Sequence, residues 1–344
     1  MKRIILIVTL ICITISCSAF MVKRKKDPGY LYARKYGAKA NIELHVIDDD
    51  GKPVPDANVE VFMGMNLRNK GRWITGTTNT NGVFLVKGKT TGNEIEYYIK
   101  KDGYYRTFVQ FTFAEMGKES NVVNGKWQPY GEKETIKLRK IKKPYIDWVG
   151  GKWVNINKLN EWVGFDIQKG DFVKPHGEGE ISDFEIMLEW DGILSGKIYN
   201  GMLIKIRFKD FFSGYYKEKI IHESDFKTPF NANIDNKYNK YNKEAIFETK
   251  LLDNGKYYRN HFDKNYCWVI RSRCVVDDNG NLLCANYSVI NMFTFSPDKN
   301  NVVNIIIDGY FNSTPNDTNL EPKHVLESWS NKIERNRNPQ TESP

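Results

Sequence analysis

The sequence predicts an all-β protein: an N-terminal Greek-key β-sandwich, a second antiparallel β-rich domain and a short C-terminal helix. Three observations predict it. Aromatic residues are 13% of the 344-residue chain, with 19 Tyr, 19 Phe and 8 Trp, while alanine is sparse. That composition suits pleated sheet better than helix bundles. Apolar and polar residues alternate with a period of two in many short runs, the pattern of half-buried strands. Clusters of Gly, Pro, Asn and Asp separate these runs. At roughly 150 residues per domain the length suggests two domains. A 40% hydrophobic fraction is enough for each to bury a core.

The chain opens with a leader. Lys2 and Arg3 precede an apolar stretch, Ile4 to Ile15, too short to span a bilayer as a permanent helix. Residues 1–16 read as a signal peptide. The tetrad Thr14, Ile15, Ser16, Cys17 resembles a bacterial lipobox, with Thr14 where Leu is usual. In that reading Cys17 becomes the acylated first residue, and membrane lipid is a partner of the chain. Two alternatives stand beside it: ordinary cleavage after Ala19, or a retained anchor. Residues 17–39 read as a tether, with Lys23, Arg24, Lys25 and Lys26 in one run. Loss of Lys2 and Arg3 leaves 49 basic against 42 acidic residues, taking the net charge from +9 to +7. The expected location is the bacterial cell envelope, as a membrane-anchored lipoprotein or a periplasmic or secreted protein. Net charge alone is a weak basis for nucleic-acid binding in an exported chain, and none is expected.

The first domain is assigned to residues 40–143. Ile42, Leu44 and Val46 alternate with Glu43 and His45, so His45 is expected at the surface. Asp48, Asp49, Asp50 and Gly51 form a turn; no regular oxygen-ligand spacing for calcium follows them. Pro53 and Pro55 mark a loop entry, and Val59 and Val61 resume the alternation. Asn79 to Gly82 reads as a hairpin turn before Val83 and Phe84. Ile95, Tyr97 and Ile99 make a further strand, and Ile136 with Leu138 the last. Trp127 and Tyr130 stand in an insertion-like stretch, where such aromatics either cap a sandwich end or grip a sugar ring.

These motifs, in this order, resemble the carboxypeptidase regulatory-like family of seven-stranded, transthyretin-like sandwiches. The residues that carry the resemblance are Gly51, Pro53, Val54, Ala57 and Val59; Gly76, Thr78, Asn79, Gly82 and Phe84; and Lys101, Gly103 and Tyr104. The resemblance covers under a third of the chain. It implies a non-catalytic accessory or binding module of secreted and surface proteins. The stretch from Met63 to Trp73 departs from the family pattern in being longer and more basic.

A basic connector ending at Pro144 leads to the second domain, residues 144–321. Phe184, Ile186, Leu188 and Trp190 share a face; so do Met202, Ile204, Ile206 and Phe208. Trp268 and Ile270 alternate with Arg271 and Arg273, which therefore share the opposite face. Phe293 and Phe295, then Val303, Ile305 and Ile307, close the series. Asp277 to Asn281 signals a hairpin. A three-residue loop there would pair Cys274 with Cys284 and allow a disulfide; a one-residue change of register would leave free thiols. Asn231 to Lys243 reads as a surface loop. Pro322 suits a first helical position, and Val325, Trp329 and Ile333 recur four apart, giving a short helix and tail over 322–344.

Polar chemistry concentrates in one segment. Asp166, Asp171, His176 and Glu178 are the candidate catalytic residues, within a run that extends to Glu180 and Asp183. Two carboxylates at the right separation hydrolyse glycosidic bonds, so this segment defines the alternative of an envelope glycan hydrolase. The same acids are also ordinary turn formers. No nucleophile elbow, HExxH or CxxC occurs, and no metal or other cofactor is expected. The functional reading is a non-enzymatic envelope protein that binds or presents a glycan or an envelope protein, or serves as a structural spacer in a surface assembly.

Overall fold

The computed structural model describes residues 28–64, 72–113, 122–156, 159–189, 194–195, 198–199, 201–234, 241–251, 257–260, 262–297 and 303–323. Cys17, the leader, the Lys23 to Lys26 run, Trp190 and the expected helix through Val325, Trp329 and Ile333 lie outside them. The protein is nearly all β. It divides into two units: residues up to Lys101 with Phe108–Leu138, and Asp102–Thr107 with the chain from Arg139 onward.

The first unit begins with helix α1 (Pro28–Tyr36), which falls in the range read from sequence as tether. Ala33 is fully buried and Tyr30 meets the Trp127 ring edge-on at 6.1 Å, so these residues belong to the folded unit. Then come β1 (Ala38–Ile47), β2 (Asn58–Met63), β3 (Arg72–Thr77), β4 (Val83–Thr90), β5 (Glu94–Lys100), β6 (Thr107–Thr112), β7 (Val122–Val123), β8 (Lys126–Trp127) and β9 (Glu132–Lys137). One sheet joins β4 to β1 antiparallel; β8 and β9 both lie along the other edge of β1. The second sheet has the order β3-β2-β5-β6. The buried faces carry the alternating residues: Ile42, Leu44 and Val46 from one sheet, Val59, Val61, Ile95, Tyr97 and Ile99 from the other. Burial, and then the Glu134 carboxylate that accepts its O–H, push the Tyr97 phenol above its ordinary value.

Two features differ from the sequence expectation. The β1–β9 pairing is parallel, running from Ile42↔Glu132 to Ile47↔Lys137. Parallel neighbours need a long connection, and the intervening strands supply it. The turn at Asn79 to Gly82 is present, but it is a corner between sheets: β3 pairs with β2, while β4 pairs with β1. Local bonding explains the corner. The Asn79 carboxamide oxygen accepts the N–H groups of Asn81 and Val83. The buried Thr78 hydroxyl accepts the Ala57 N–H and donates to the Val54 carbonyl. Gly82 has φ +70°, and a Cβ there would lie 2.5 Å from the Val46 carbonyl oxygen. Only glycine fits.

The second unit contains β10 (Asp147–Ile156), β11 (Trp162–Asp166), β12 (Asp171–Phe172), β13 (Phe184–Glu189), β14 (Leu194–Ser195), β15 (Ile198–Tyr199), β16 (Met202–Arg207), β17 (Gly214–Lys219), β18 (Glu244–Leu251), β19 (Tyr257–Asn260), β20 (Tyr266–Val276), β21 (Leu282–Pro297) and β22 (Val303–Asn312). A five-stranded antiparallel sheet has the order β10-β22-β21-β20-β17, and a six-stranded one β12-β11-β13-β16-β18-β19. Their facing sides form one aromatic core in which Phe165, Phe184 and Phe247 of the six-stranded sheet meet Trp268, Ile290 and Ile305 of the five-stranded sheet. The far side of the five-stranded sheet has a smaller core of its own, with Tyr216, Cys267, Val269 and Tyr287. Covered on both faces, β20 is buried continuously from Cys267 to Ile270.

The start and end of this unit are tied together. Arg139 lies between the rings of Phe226 and Phe230, 4.2 Å from each centroid, and donates to the carbonyls of Phe226 and Thr228. The buried Glu321 carboxylate accepts the Tyr105 hydroxyl at 2.8 Å and the N–H groups of Lys142 and Lys143. Pro322 does not open a helix: it forms a parallel bridge with Ile146, and Lys323 N–H donates to the Ile146 carbonyl. These bonds hold that stretch extended.

Candidate functional site

The segment from Asp166 to Asp183 connects β11 to β13 through β12. Its center is an arginine from elsewhere in the chain. Arg273 donates through Nε and Nη2 to the Asp183 carboxylate at 2.9 and 3.1 Å, through Nη2 to Asp166 at 2.8 Å, and through Nη1 to Gln168 at 2.7 Å. Its guanidinium also lies 4.4 Å from the Phe311 ring centroid. The Ser272 hydroxyl adds a 2.7 Å bond to Asp183.

A β-bulge creates this arrangement. The β20–β21 register slips between Ser272 and Val275, and Arg273 takes φ +51°. Simple alternation would point Arg273 the same way as Arg271; the bulge turns it beside Ser272 toward the two aspartates. Arg271 instead donates to the Phe212 carbonyl and lies over the Tyr241 ring. The same slip decides the cysteines. The hairpin loop spans Asp278 to Gly280, with Asp277 N–H donating to the Asn281 carbonyl, but Cys284 then faces Val275 rather than Cys274. Cys267, Cys274 and Cys284 are free thiols, so the Cys274–Cys284 disulfide is not formed. Burial pushes the Cys267 thiol up to about 12 and raises Cys274 as well.

Asp166 is buried and fully engaged. Besides Arg273 it accepts the N–H groups of Lys169, Glu180 and Ile181. Burial pushes the Asp183 carboxyl above its ordinary value, and Arg273, the Ser272 hydroxyl and the Ile167 N–H offset part of that rise. Asp171 accepts N–H groups of Phe172 and Glu178, closing its own loop. Of the four residues singled out from sequence, Asp166 is thus buried, Asp171 closes its own loop, and His176 and Glu178 are exposed. The structure joins one of them, Asp166, to Asp183 and Arg273 in a buried ionic knot that pins the loop. Among the described residues no group of three or more His, Cys, Asp or Glu could hold a metal ion. No helix among them is long and apolar enough to cross a membrane.

A second feature carries no ionic knot and faces outward. On the sheet β3-β2-β5-β6 of the first unit, each strand contributes one aromatic residue to the outer face: Trp73, Phe62, Tyr98 and Phe108, in sheet order. Trp73 contacts both Phe62 and Tyr98, with ring centroids 5.1 and 6.1 Å away, and Tyr98 lies 4.9 Å from Phe108. Trp73 is 51% exposed and the other three are half-buried. Polar pairs flank the row: Lys100 with Glu60 at 3.1 Å, and Gln110 donating to Glu94 at 2.8 Å. The signal was present in the sequence as aromatics at the outward positions of alternating strands; their alignment depends on strand order, which sequence does not display. Trp127, by contrast, is fully buried, stacked on Phe113, with its N–H donated to the Thr90 carbonyl. It caps the sandwich.

No protein-family model matches the chain, and no curated protein matches it. Among solved structures, it is similar to 3-chlorocatechol 1,2-dioxygenase from Rhodococcus opacus 1CP at 17% identity, covering 30% of this chain and 60% of that one, with a TM-score of 0.24. Wild-type catechol 1,2-dioxygenase from Acinetobacter radioresistens gives 16% identity over 34% of this chain and 56% of that one, with a TM-score of 0.25. The chain thus spans less than two thirds of either enzyme. Likeness at this level carries no argument about fold or chemistry.

Proposed function

We propose that the protein is an exported, non-catalytic envelope protein, anchored by lipid on Cys17, whose first unit binds a glycan on its aromatic row. The observation that carries this reading is the alignment of Trp73, Phe62, Tyr98 and Phe108 across four adjacent strands. Neighbouring rings tilted 38–50° to one another offer faces and edges to the C–H groups of an extended sugar chain, and flanking carboxylate, amide and ammonium groups meet its hydroxyls. A row open at both ends suits a polymer rather than an enclosed small molecule. The family resemblance, which implies an accessory module, agrees with this reading. The glycan-hydrolase alternative needs carboxylates free to face a substrate, whereas Asp166 is committed to Arg273 and backbone N–H groups.

The test is a glycan array followed by calorimetry on the full chain. Binding is expected and should weaken at least tenfold in Trp73→Ala, with an unchanged far-UV spectrum because Trp73 is half in solvent. An array without hits would overturn the reading and favour the spacer role. Intact-mass analysis of the membrane fraction tests the anchor: diacylated Cys17 is expected, and a mature chain beginning at Phe20 would remove it.

A further inference from the structure

The first unit also carries an unbalanced basic surface on its other sheet. Lys39 in β1 lies directly opposite Lys89 in β4 and pairs on its other side with Lys126 in β8. Three lysines therefore run side by side across three adjacent strands. Like charges placed opposite one another destabilise a sheet. Lys87, two residues along β4, and Arg72 at the start of β3 extend the cluster around an open cleft of about 440 Å³, with Tyr130 on its rim and no carboxylate in its lining. Lys126 lies over the Tyr130 ring at 4.7 Å. No carboxylate pairs with Lys39, Arg72, Lys87 or Lys89 among the described residues.

This cluster sits at the end of β1 where the chain enters from α1. That helix packs its inner side on the unit through Ala33 and Tyr30, and exposes Leu31, Tyr32 and Tyr36 at 50, 60 and 55%. Exposed tyrosine and leucine beside cations are the residue types that settle at a bilayer interface. Chain continuity points the same way. Cys17 precedes Pro28 by 11 residues, a stretch that can span at most about 40 Å. An anchor on Cys17 joins the unit at this end, which is therefore the end nearest to the lipid along the chain.

We infer that this end of the first unit docks on an anionic phospholipid surface, with Lys39, Lys87, Lys89, Lys126 and Arg72 meeting the phosphates and Leu31, Tyr32 and Tyr36 entering the interface. The orientation rests on the lipid-anchor reading. The docking itself is measured separately from it.

The experiment is amine acetylation of the full processed chain on phosphatidylcholine vesicles, with and without 30% phosphatidylglycerol, read by mass spectrometry. Lys39, Lys87 and Lys89 should be labelled at least threefold more slowly on the anionic vesicles, and the protection should vanish in high salt. Lys52, a strand length or about 33 Å away, should label equally on both and serves as the internal reference. The Lys39→Gln/Lys89→Gln variant should lose protection at Lys87 and Lys126 while melting no lower than the parent, because it removes a like-charge pair without creating another. Equal labelling on both vesicles would overturn the inference. Equal protection by millimolar inorganic phosphate without vesicles would also overturn it, marking a small-anion site instead. A chain found without acyl groups on Cys17 yet protected on anionic vesicles would sink the anchor alone.

Discussion

At the scale of single residues, Arg273 has the largest structural consequence. It is the shared cation of two buried carboxylates, and it reaches them from a left-handed backbone position in a bulge. Removing one partner of a buried pair leaves an uncompensated charge. Arg273→Met is therefore expected to destabilise the second unit by about 3–5 kcal/mol in denaturant unfolding. Glu185 makes a different prediction. It faces Arg207 across β13 and β16 and also meets Lys209. Burial opposes ionisation, yet Lys209 and Arg207 together hold its carboxyl below the ordinary value of 4.5. A depressed folded value means that its contribution is present above about pH 4.5 and is lost as pH falls through the folded value. Glu185→Gln should flatten that part of the stability–pH curve, measured by thermal melting between pH 3 and 7. The candidate site was half legible at this scale. The carboxylate-rich segment was visible as turn chemistry, and Asp166 and Asp171 do serve loops. Arg273 was invisible as their partner, because a bulge breaks the period-two rule from which its direction was read.

At the scale of elements, strands were legible and their partners were not. Ile42, Leu44 and Val46, or Ile204 and Ile206, declare a buried face through alternation alone. Nothing in that alternation says whether β4 continues the sheet of β3 or crosses to the other. The corner at Thr78 to Gly82 decides it, through contacts with Val46, Val54 and Ala57 that lie some 20 to 40 residues away in sequence. Thr78→Val keeps the shape but strands the Ala57 N–H and the Val54 carbonyl in the interior. The expected cost is about 2–4 kcal/mol in denaturant unfolding of the full chain. The helix α1 was missed because nine residues opening on Pro28 and Gly29 have little periodicity to show; its burial comes from one alanine and one tyrosine.

At the scale of the whole molecule, the two units are interleaved in sequence, since residues 102–107 belong to the second unit although the chain returns to the first at Phe108. A single cut cannot separate them cleanly. A piece beginning at Arg139 lacks Tyr105, whose ring meets Phe226 at 5.1 Å and whose hydroxyl bonds Glu321. Loss of a buried aromatic costs about 3–5 kcal/mol. That piece should melt well below the corresponding transition of the full chain in a calorimetric scan, and equal melting would show that Tyr105 is dispensable.

The parallel seam between β1 and β9 also sets a clock. Ile42 waits for Glu132, roughly 90 residues later, and at 5–20 residues per second synthesis takes on the order of 5–20 s to deliver it. Throughout that interval β1 presents an open edge, the kind of template on which other strands add. A nascent or truncated chain that ends before Glu132 is thus the aggregation-prone form of this protein, and whatever handles the chain during synthesis must shield its first strand until its ninth arrives.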